Sequence, residues 1–317
     1  MSDIHASSSA LKSFTTMVAA DGIEECRKAC GGHGFLACSG LPELIGTFLQ
    51  NPTVEGDNHM LPQQVIRVLL KLVEAVQSDE SVVDQYKPCD SYALVSSIRS
   101  IMNGGTEKCL GVSPKDLCDL PTLLHAFRHR AARLLVVVGK QIKDSVEKGM
   151  GMQESWNNSL VAMAKTSRAY SQFLLIQNFM EGIIEGQRNM LIGAAEGKVL
   201  RDLALLLALY WIEEDLGQFL EDGYLSPRQA SWISPNVVKY LDIVRPNAVA
   251  LVDARDFSDL RLKSALGRYD GNVYPHIMES ARKDPLNAID PGPAYDPELK
   301  RLIVGGVGEY NGTSSRL

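Results

Sequence analysis

The chain has 317 residues, 45% hydrophobic and 22% charged, the proportions of a soluble globular protein with room for one large or two ordinary domains. Its 32 basic and 38 acidic residues leave a net charge of −6, which argues against a basic nucleic-acid-binding surface. The strongest apolar run, Leu203 to Ile212, has ten residues against the ~18 of a membrane span, and Met1 to Ala6 lacks the basic-then-apolar order of a secretory signal.

In chain order the sequence reads as helical. Ser7 to Ala29 carries Leu11, Phe14, Thr15, Val18, Ala19, Ile23 and Cys26 at helical spacing, and Gly31, Gly32 and Gly34 stop it. A loop with Gly40 and Pro42 follows. Val65 to Val76 is a second helix, with Val65, Leu69, Leu72, Val73 and Val76 on one face and Pro62 near its start. Gln77 to Pro88 reads as a polar linker, which sets expected segments of 1–78, 79–88, 89–283 and 284–317. Helices are expected over Ser91 to Met102, Pro121 to Lys148, Glu154 to Glu181 and Gly197 to Leu220, with a loop between the first two. The apolar run Leu134 to Val138 sits within the second of these. Ser226-Pro227 and Pro246-Asn247 each signal a helix start, and prolines 285, 291, 293 and 297 point to an irregular tail. No period-two alternation is long enough to demand a strand. The expected fold is all-α: two helical bundles in sequence.

Two short segments carry chemistry. Gly31-Gly32-His33-Gly34 after a helix is either a simple helix stop or a loop whose backbone N–H groups meet a large anion such as a pyrophosphate. It is not the dinucleotide fingerprint, because no strand precedes it. His33 either bonds a ligand or holds the loop. Glu55-Gly56-Asp57-Asn58 places a carboxylate beside a glycine just before a helix. Glu55 is there either to favour the helix start or to act as a base, with Gly56 admitting a bulky ligand. Cys26, Cys30, His33 and Cys38 share short spacings with zinc ligands, but Cys26 falls inside a helix and the two-residue gap between paired cysteines is missing, so no metal is expected. The six cysteines read as reduced thiols of an intracellular protein. Ser315-Arg316-Leu317 ends the chain as small–basic–leucine, either a chance tripeptide or a peroxisomal address read by an import receptor, behind an accessible Gly305 to Ser314 stretch.

The segment Asp21 to Phe35, continued by Cys38-Ser39-Gly40-Leu41-Pro42 and Thr53-Val54-Glu55-Gly56-Asp57-Asn58, resembles the acyl-CoA oxidases. Arg245 to Ala254, Leu266 to Tyr274 and Pro285-Leu286-Asn287 resemble the C-terminal domain of the same family, so the likeness spans nearly the whole chain. It implies an FAD-dependent peroxisomal enzyme of fatty acid β-oxidation that converts fatty acyl-CoA to trans-2-enoyl-CoA and reduces O2 to hydrogen peroxide. It implies that Glu55 removes the α-proton, that Gly31, Gly32, His33 and Gly34 lie against FAD, and that Asp57 and Asn58 face the cofactor. Val54 departs from the aromatic residue common there, and Pro62 is unusual so soon after the base. The family carries an N-terminal helical domain and a middle β-domain ahead of the glycine loop, whereas only about thirty residues precede it here. The resemblance thus implies the C-terminal portion of an oxidase, weakly active or inactive alone, forming a homodimer or pairing with a full-length oxidase subunit. The alternative is a non-catalytic helical module that pairs with such subunits.

Overall fold

The apolar spacing of the chain translates into helices throughout the computed structural model, which describes residues 2–78, 80–87 and 89–288. Among the described residues there is no strand. In chain order the helices are α1 (Ser2–Ala29), α2 (Leu41–Phe48), α3 (Leu61–Ser78), α4 (Glu80–Asp84), α5 (Val95–Met102), α6 (Leu120–Glu147), α7 (Met152–Asn158), α8 (Leu160–Arg188), α9 (Ala194–Glu214), α10 (Leu216–Leu220), α11 (Pro227–Ala230), α12 (Ile233–Val244), α13 (Ala248–Asp253), α14 (Asp259–Leu262) and α15 (Val273–Lys283).

The long helices follow local rules. Asp119 caps α6, accepting from the Thr122 amide at 3.1 Å, and Pro121 occupies its first turn, where no N–H is needed. Ser226 and Gln229 form a reciprocal capping box on α11. Two expected helices are each split. The stretch from Glu154 breaks into α7 and α8 at Ser159, which follows Asn157 and Asn158, three poor helix formers in a row. The Ser159 hydroxyl donates back to the Ser155 carbonyl at 2.9 Å. The stretch to Leu220 breaks into α9 and α10 at Asp215, whose carboxylate is drawn to buried partners.

The described residues divide into two units, those up to 22 with 48–255 and 23–47 with those from 256 on. In the first, α6 packs on α8, α3 on α8 and α9 on α12. Phe127, Tyr170, Phe173, Leu69, Leu72 and Ile98 are buried in its core. Phe14 of α1 meets Trp211 of α9 edge-on, with ring centroids 5.4 Å apart. The expected linker over 79–88 falls inside this unit: α4 occupies part of it, and Val83 is fully buried in the same core. In the second unit, the Ala265 amide donates to the Cys38 carbonyl at 2.8 Å, tying the segment before α2 to the one before α15. The irregular tail begins with a 3-10 turn at Pro285–Ala288, and the rest of it lies outside the described residues.

Polar groups are buried along α6. His129, 3% exposed, has Nδ1 3.1 Å from Glu107 Oε2 and Nε2 2.7 Å from Asp222 Oδ2, and it stacks on Tyr224. One turn earlier, His125 Nδ1 lies 2.8 Å from the Tyr224 hydroxyl and its Nε2 lies 3.6 Å from Glu107 Oε2. Burial pushes the His125 imidazole below its ordinary pKa; Arg128 adds to this and Glu107 opposes it. The unfolded chain therefore binds more protons at this site than the folded one. Its contribution to stability is complete above the unfolded value of about 6.5 and is lost as pH falls through the lowered folded value. We expect the urea midpoint to fall as pH drops from 6.5 toward 5, and His125→Gln to flatten that fall. An unchanged slope in the variant would count against this assignment.

Candidate functional site

The expected site residues lie on two turns, one in each unit. Glu55, Asp57 and Asn58 belong to the first unit, in the turn that leads into α3. Its backbone is closed by the Val54 amide on the Gln50 carbonyl and the Asn58 amide on the Pro52 carbonyl, both at 3.0 Å. Glu55 adopts φ 56 and Gly56 φ 103. A Cβ at Gly56 would stand 2.8 Å from Leu61 Cδ2, so glycine is required there by the backbone and by a buried neighbour before any ligand is considered.

The two readings of Glu55 separate in this geometry. Asp57 serves the helix start: its Oδ1 accepts from the His59 amide at 2.7 Å and its carbonyl accepts from the Met60 and Leu61 amides. Glu55 lies six residues before Leu61, exposed, with no hydrogen bond or ion pair among the described residues. Its carboxylate is thus free of structural duty. Asn58 is committed at both ends of its amide. Nδ2 donates to the Ser13 carbonyl and to Thr16 Oγ1, each at 2.9 Å, and Oδ1 accepts from Lys12 Nζ at 3.0 Å. Lys12 also donates to the Gly56 carbonyl at 2.5 Å. Neither Lys12 nor this use of Asn58 was expected from sequence. The available signal was that Lys12 is the sole Lys or Arg before Arg27.

Gly31, Gly32, His33 and Gly34 belong to the second unit and form a 3-10 turn, Gly31–Phe35, directly after α1. Gly34 is buried, and a Cβ on it would lie 2.1 Å from the Arg27 carbonyl oxygen. Its own carbonyl accepts from Ser39 Oγ at 3.2 Å. A methyl added at Gly32 would meet no heavy atom within 4 Å, and Gly31, Gly32 and His33 are all exposed. The His33 ring meets Tyr274 edge-on, centroids 5.8 Å apart. The turn therefore holds one glycine that packing requires and an open glycine surface that packing does not. Gly34→Ala should cost on the order of 1–3 kcal/mol in thermal or urea unfolding, because backbone must shift to admit the methyl. Gly32→Ala should leave stability within about 0.5 kcal/mol. Equal losses in the two variants would contradict this division.

Among the described residues no group of His, Cys, Asp and Glu side chains is placed to hold a metal ion, and all six cysteines are unpaired. No helix there is long and apolar enough to cross a membrane. Ser315, Arg316 and Leu317 lie outside the described residues.

Comparison with known proteins bears on both turns. The acyl-CoA oxidase family profile matches residues 119–303, and the profile of the acyl-CoA oxidase C-alpha1 domain matches residues 1–70. Peroxisomal acyl-coenzyme A oxidase 1 of Rattus norvegicus is 36% identical over 303 residues, covering 95% of this chain and 44% of the rat protein. Putative peroxisomal acyl-coenzyme A oxidase 1.2 of Arabidopsis thaliana is 38% identical over 305 residues, with 95% and 43% covered. Among solved structures, Arabidopsis thaliana acyl-CoA oxidase 1 aligns with a TM-score of 0.84 at 34% identity, over 96% of this chain and 44% of that one. Acyl-CoA oxidase-1 of Caenorhabditis elegans, complexed with FAD and ATP, aligns with a TM-score of 0.82 at 31% identity and the same coverage. The chain spans less than half the length of these relatives and matches their C-terminal part.

Proposed function

Because this chain belongs to the acyl-CoA oxidase family, we propose that Glu55 and the Gly31–Gly34 turn are its contribution to the oxidation of fatty acyl-CoA to trans-2-enoyl-CoA, with O2 reduced to hydrogen peroxide. The observation that carries this reading is the uncommitted Glu55 carboxylate on a turn where the Asp57 and Asn58 side chains and the Gly56 carbonyl are engaged. A carboxylate with no partner is free to take the proton next to a thioester carbonyl, and it needs only to be held within hydrogen-bond reach of that carbon.

The glycine turn fits a flavin nucleotide in one respect: Gly31 and Gly32 present bare, exposed backbone, and an added methyl on Gly32 would project into open space. On this reading Gly31, Gly32 and His33 hold FAD, while Gly34 seats the turn against the end of α1. FAD, when bound, accepts the β-hydrogen with its electron pair and hands the electrons to oxygen. Asp57 and Asn58 follow the base and shape its turn. The substrate, O2 and FAD are the ligands implied, a second oxidase subunit is the protein partner implied, and Ser315-Arg316-Leu317 would be read by a peroxisomal import receptor.

The test is peroxide release from palmitoyl-CoA by this chain combined with the N-terminal share of a relative such as the Arabidopsis enzyme. Turnover that needs both pieces and bound FAD supports the reading. A combined preparation that binds FAD but releases no peroxide sinks it.

A second reading, a non-catalytic helical partner of full-length oxidase subunits, is favoured by one feature of the first unit. Val238, Leu241, Val249 and Val252 on α12 and α13 are more than half exposed (53–71%). Co-purification with a full-length oxidase, with no flavin retained by this chain, would favour it.

A further inference from the structure

We propose that Lys12 is a positioning residue for Glu55: its ammonium, gripping the Gly56 carbonyl and the Asn58 amide oxygen, fixes where the Glu55 carboxylate stands. The proposal rests on the reading of Glu55 as the base.

The turn needs an external hold. Glu55 is a non-glycine residue in the left-handed region, and Gly56 beside it is also at positive φ. Such a conformation persists only where surrounding contacts over-determine it. The turn is largely exposed from Thr53 to Gly56, so packing supplies little. Beyond the turn's own backbone bonds, what holds it comes from three polar positions of α1. The Ser13 carbonyl and the Thr16 hydroxyl accept from Asn58 Nδ2, and Lys12 Nζ donates to Asn58 Oδ1 and to the Gly56 carbonyl. The Lys12 bonds are the charge-assisted ones of the set, and such bonds are shorter and stronger than neutral ones.

Lys12 also differs from the other two in what it touches. Ser13 and Thr16 reach only the Asn58 side chain. Lys12 alone reaches the backbone one residue from Glu55. Its ammonium has no carboxylate partner among the described residues, and both of its hydrogen bonds go to this turn. Here the charge is placed on two uncharged oxygens that bracket Asp57. Loss of the ammonium would leave the Asn58–α1 contact in place and free the Gly56 peptide plane to rotate, carrying Glu55 with it.

The test pairs Lys12→Met with Lys12→Arg. In the chain as it is, hydrogen exchange at the Asn58 amide, which bonds the Pro52 carbonyl, should accelerate about tenfold in Lys12→Met while α6 amides stay unchanged. Lys12→Arg should keep most of the protection. In the enzyme combined with the N-terminal share of a relative, Lys12→Met should lower kcat about tenfold or more with KM for palmitoyl-CoA within about twofold, and Lys12→Arg should restore most of kcat. Unchanged exchange at Asn58 overturns the proposal. So does faster exchange with kcat intact while Glu55→Gln is inactive. If Glu55→Gln itself turns over, the reading of Glu55 as base fails, and the positioning role falls with it, whatever the exchange data show about the turn.

Discussion

Glu55→Gln, in the enzyme combined with the N-terminal share of a relative, should lose peroxide production from palmitoyl-CoA by a factor of about 10² to 10⁴, the usual contribution of a positioned general base. The same substitution should leave the fold untouched. Glu55 is exposed and bonds nothing among the described residues, so an isosteric amide removes no structural contact. It also leaves the φ 56 turn in place, because glutamine meets the same backbone strain as glutamate. This pairing of outcomes is what makes the experiment decisive. A variant that is inactive and equally stable implicates the carboxylate's chemistry. A variant that is inactive and unstable says only that the turn collapsed. Retained turnover in Glu55→Gln with bound FAD would remove Glu55 from the reaction and would leave the family assignment standing without its base. Asp57→Ala is the useful contrast. Its carboxylate already accepts from the His59 amide at 2.7 Å, so its loss should show first in the stability of the α3 start.

The parts of the fold that were legible in the sequence are those whose determinants are local. The apolar faces of α3 and α6 repeat at helical spacing, so both helices were placed within a few residues, and Ser226-Pro227 announced a helix start whose capping box completes at Gln229. What was not legible depends on partners far along the chain. The break at Asp215 follows from a carboxylate that meets Arg130, 85 residues earlier. Locally only the low helix propensity of Asp215 and Gly217 hints at it. Gln77 to Pro88 looked like a linker because its polar residues outnumber its apolar ones, yet Val83 is the side chain that places it in the core. At the site, local sequence left Glu55 undecided between helix start and base. The position of Asp57 resolves the first half of that choice, and only the family resemblance supports the second. The bonds of the Asn58 amide to α1, 42 and 45 residues away, have no local signal in the sequence.

The Asp215 carboxylate, partner of a buried arginine, carries the other large expected effect. Asp215 Oδ2 is shared by Arg130 NH1 at 3.2 Å, Arg168 Nε at 3.2 Å and Gln172 Nε2 at 3.3 Å. Arg130 is 1% exposed, lies over the rings of Phe127 and Phe219, and also donates to Gln172 Oε1. Burial pushes its guanidinium down to about 10, with Asp215 the main opposing influence. The sign follows: the folded state holds this proton less tightly than the unfolded chain, so a charged Arg130 is a net cost at neutral pH that Asp215 only partly offsets. Asp215→Ala should therefore destabilise by about 3–5 kcal/mol, the range for stripping one partner from a buried pair, and lower the Tm by roughly 10 °C. Arg168 adds little to that loss, because it is 38% exposed and can keep Glu214, 3.2 Å away. The penalty then belongs to Arg130, and removing Arg130 as well should remove it. Arg130→Met with Asp215→Ala should be more stable than Asp215→Ala alone, since the thioether chain can lie between the same two aromatic rings without a charge to desolvate. If the double variant is no better than the single, the cost lies in the α9–α10 break itself, where alanine would invite the helix to run on past Glu214 and displace Phe219 from the core.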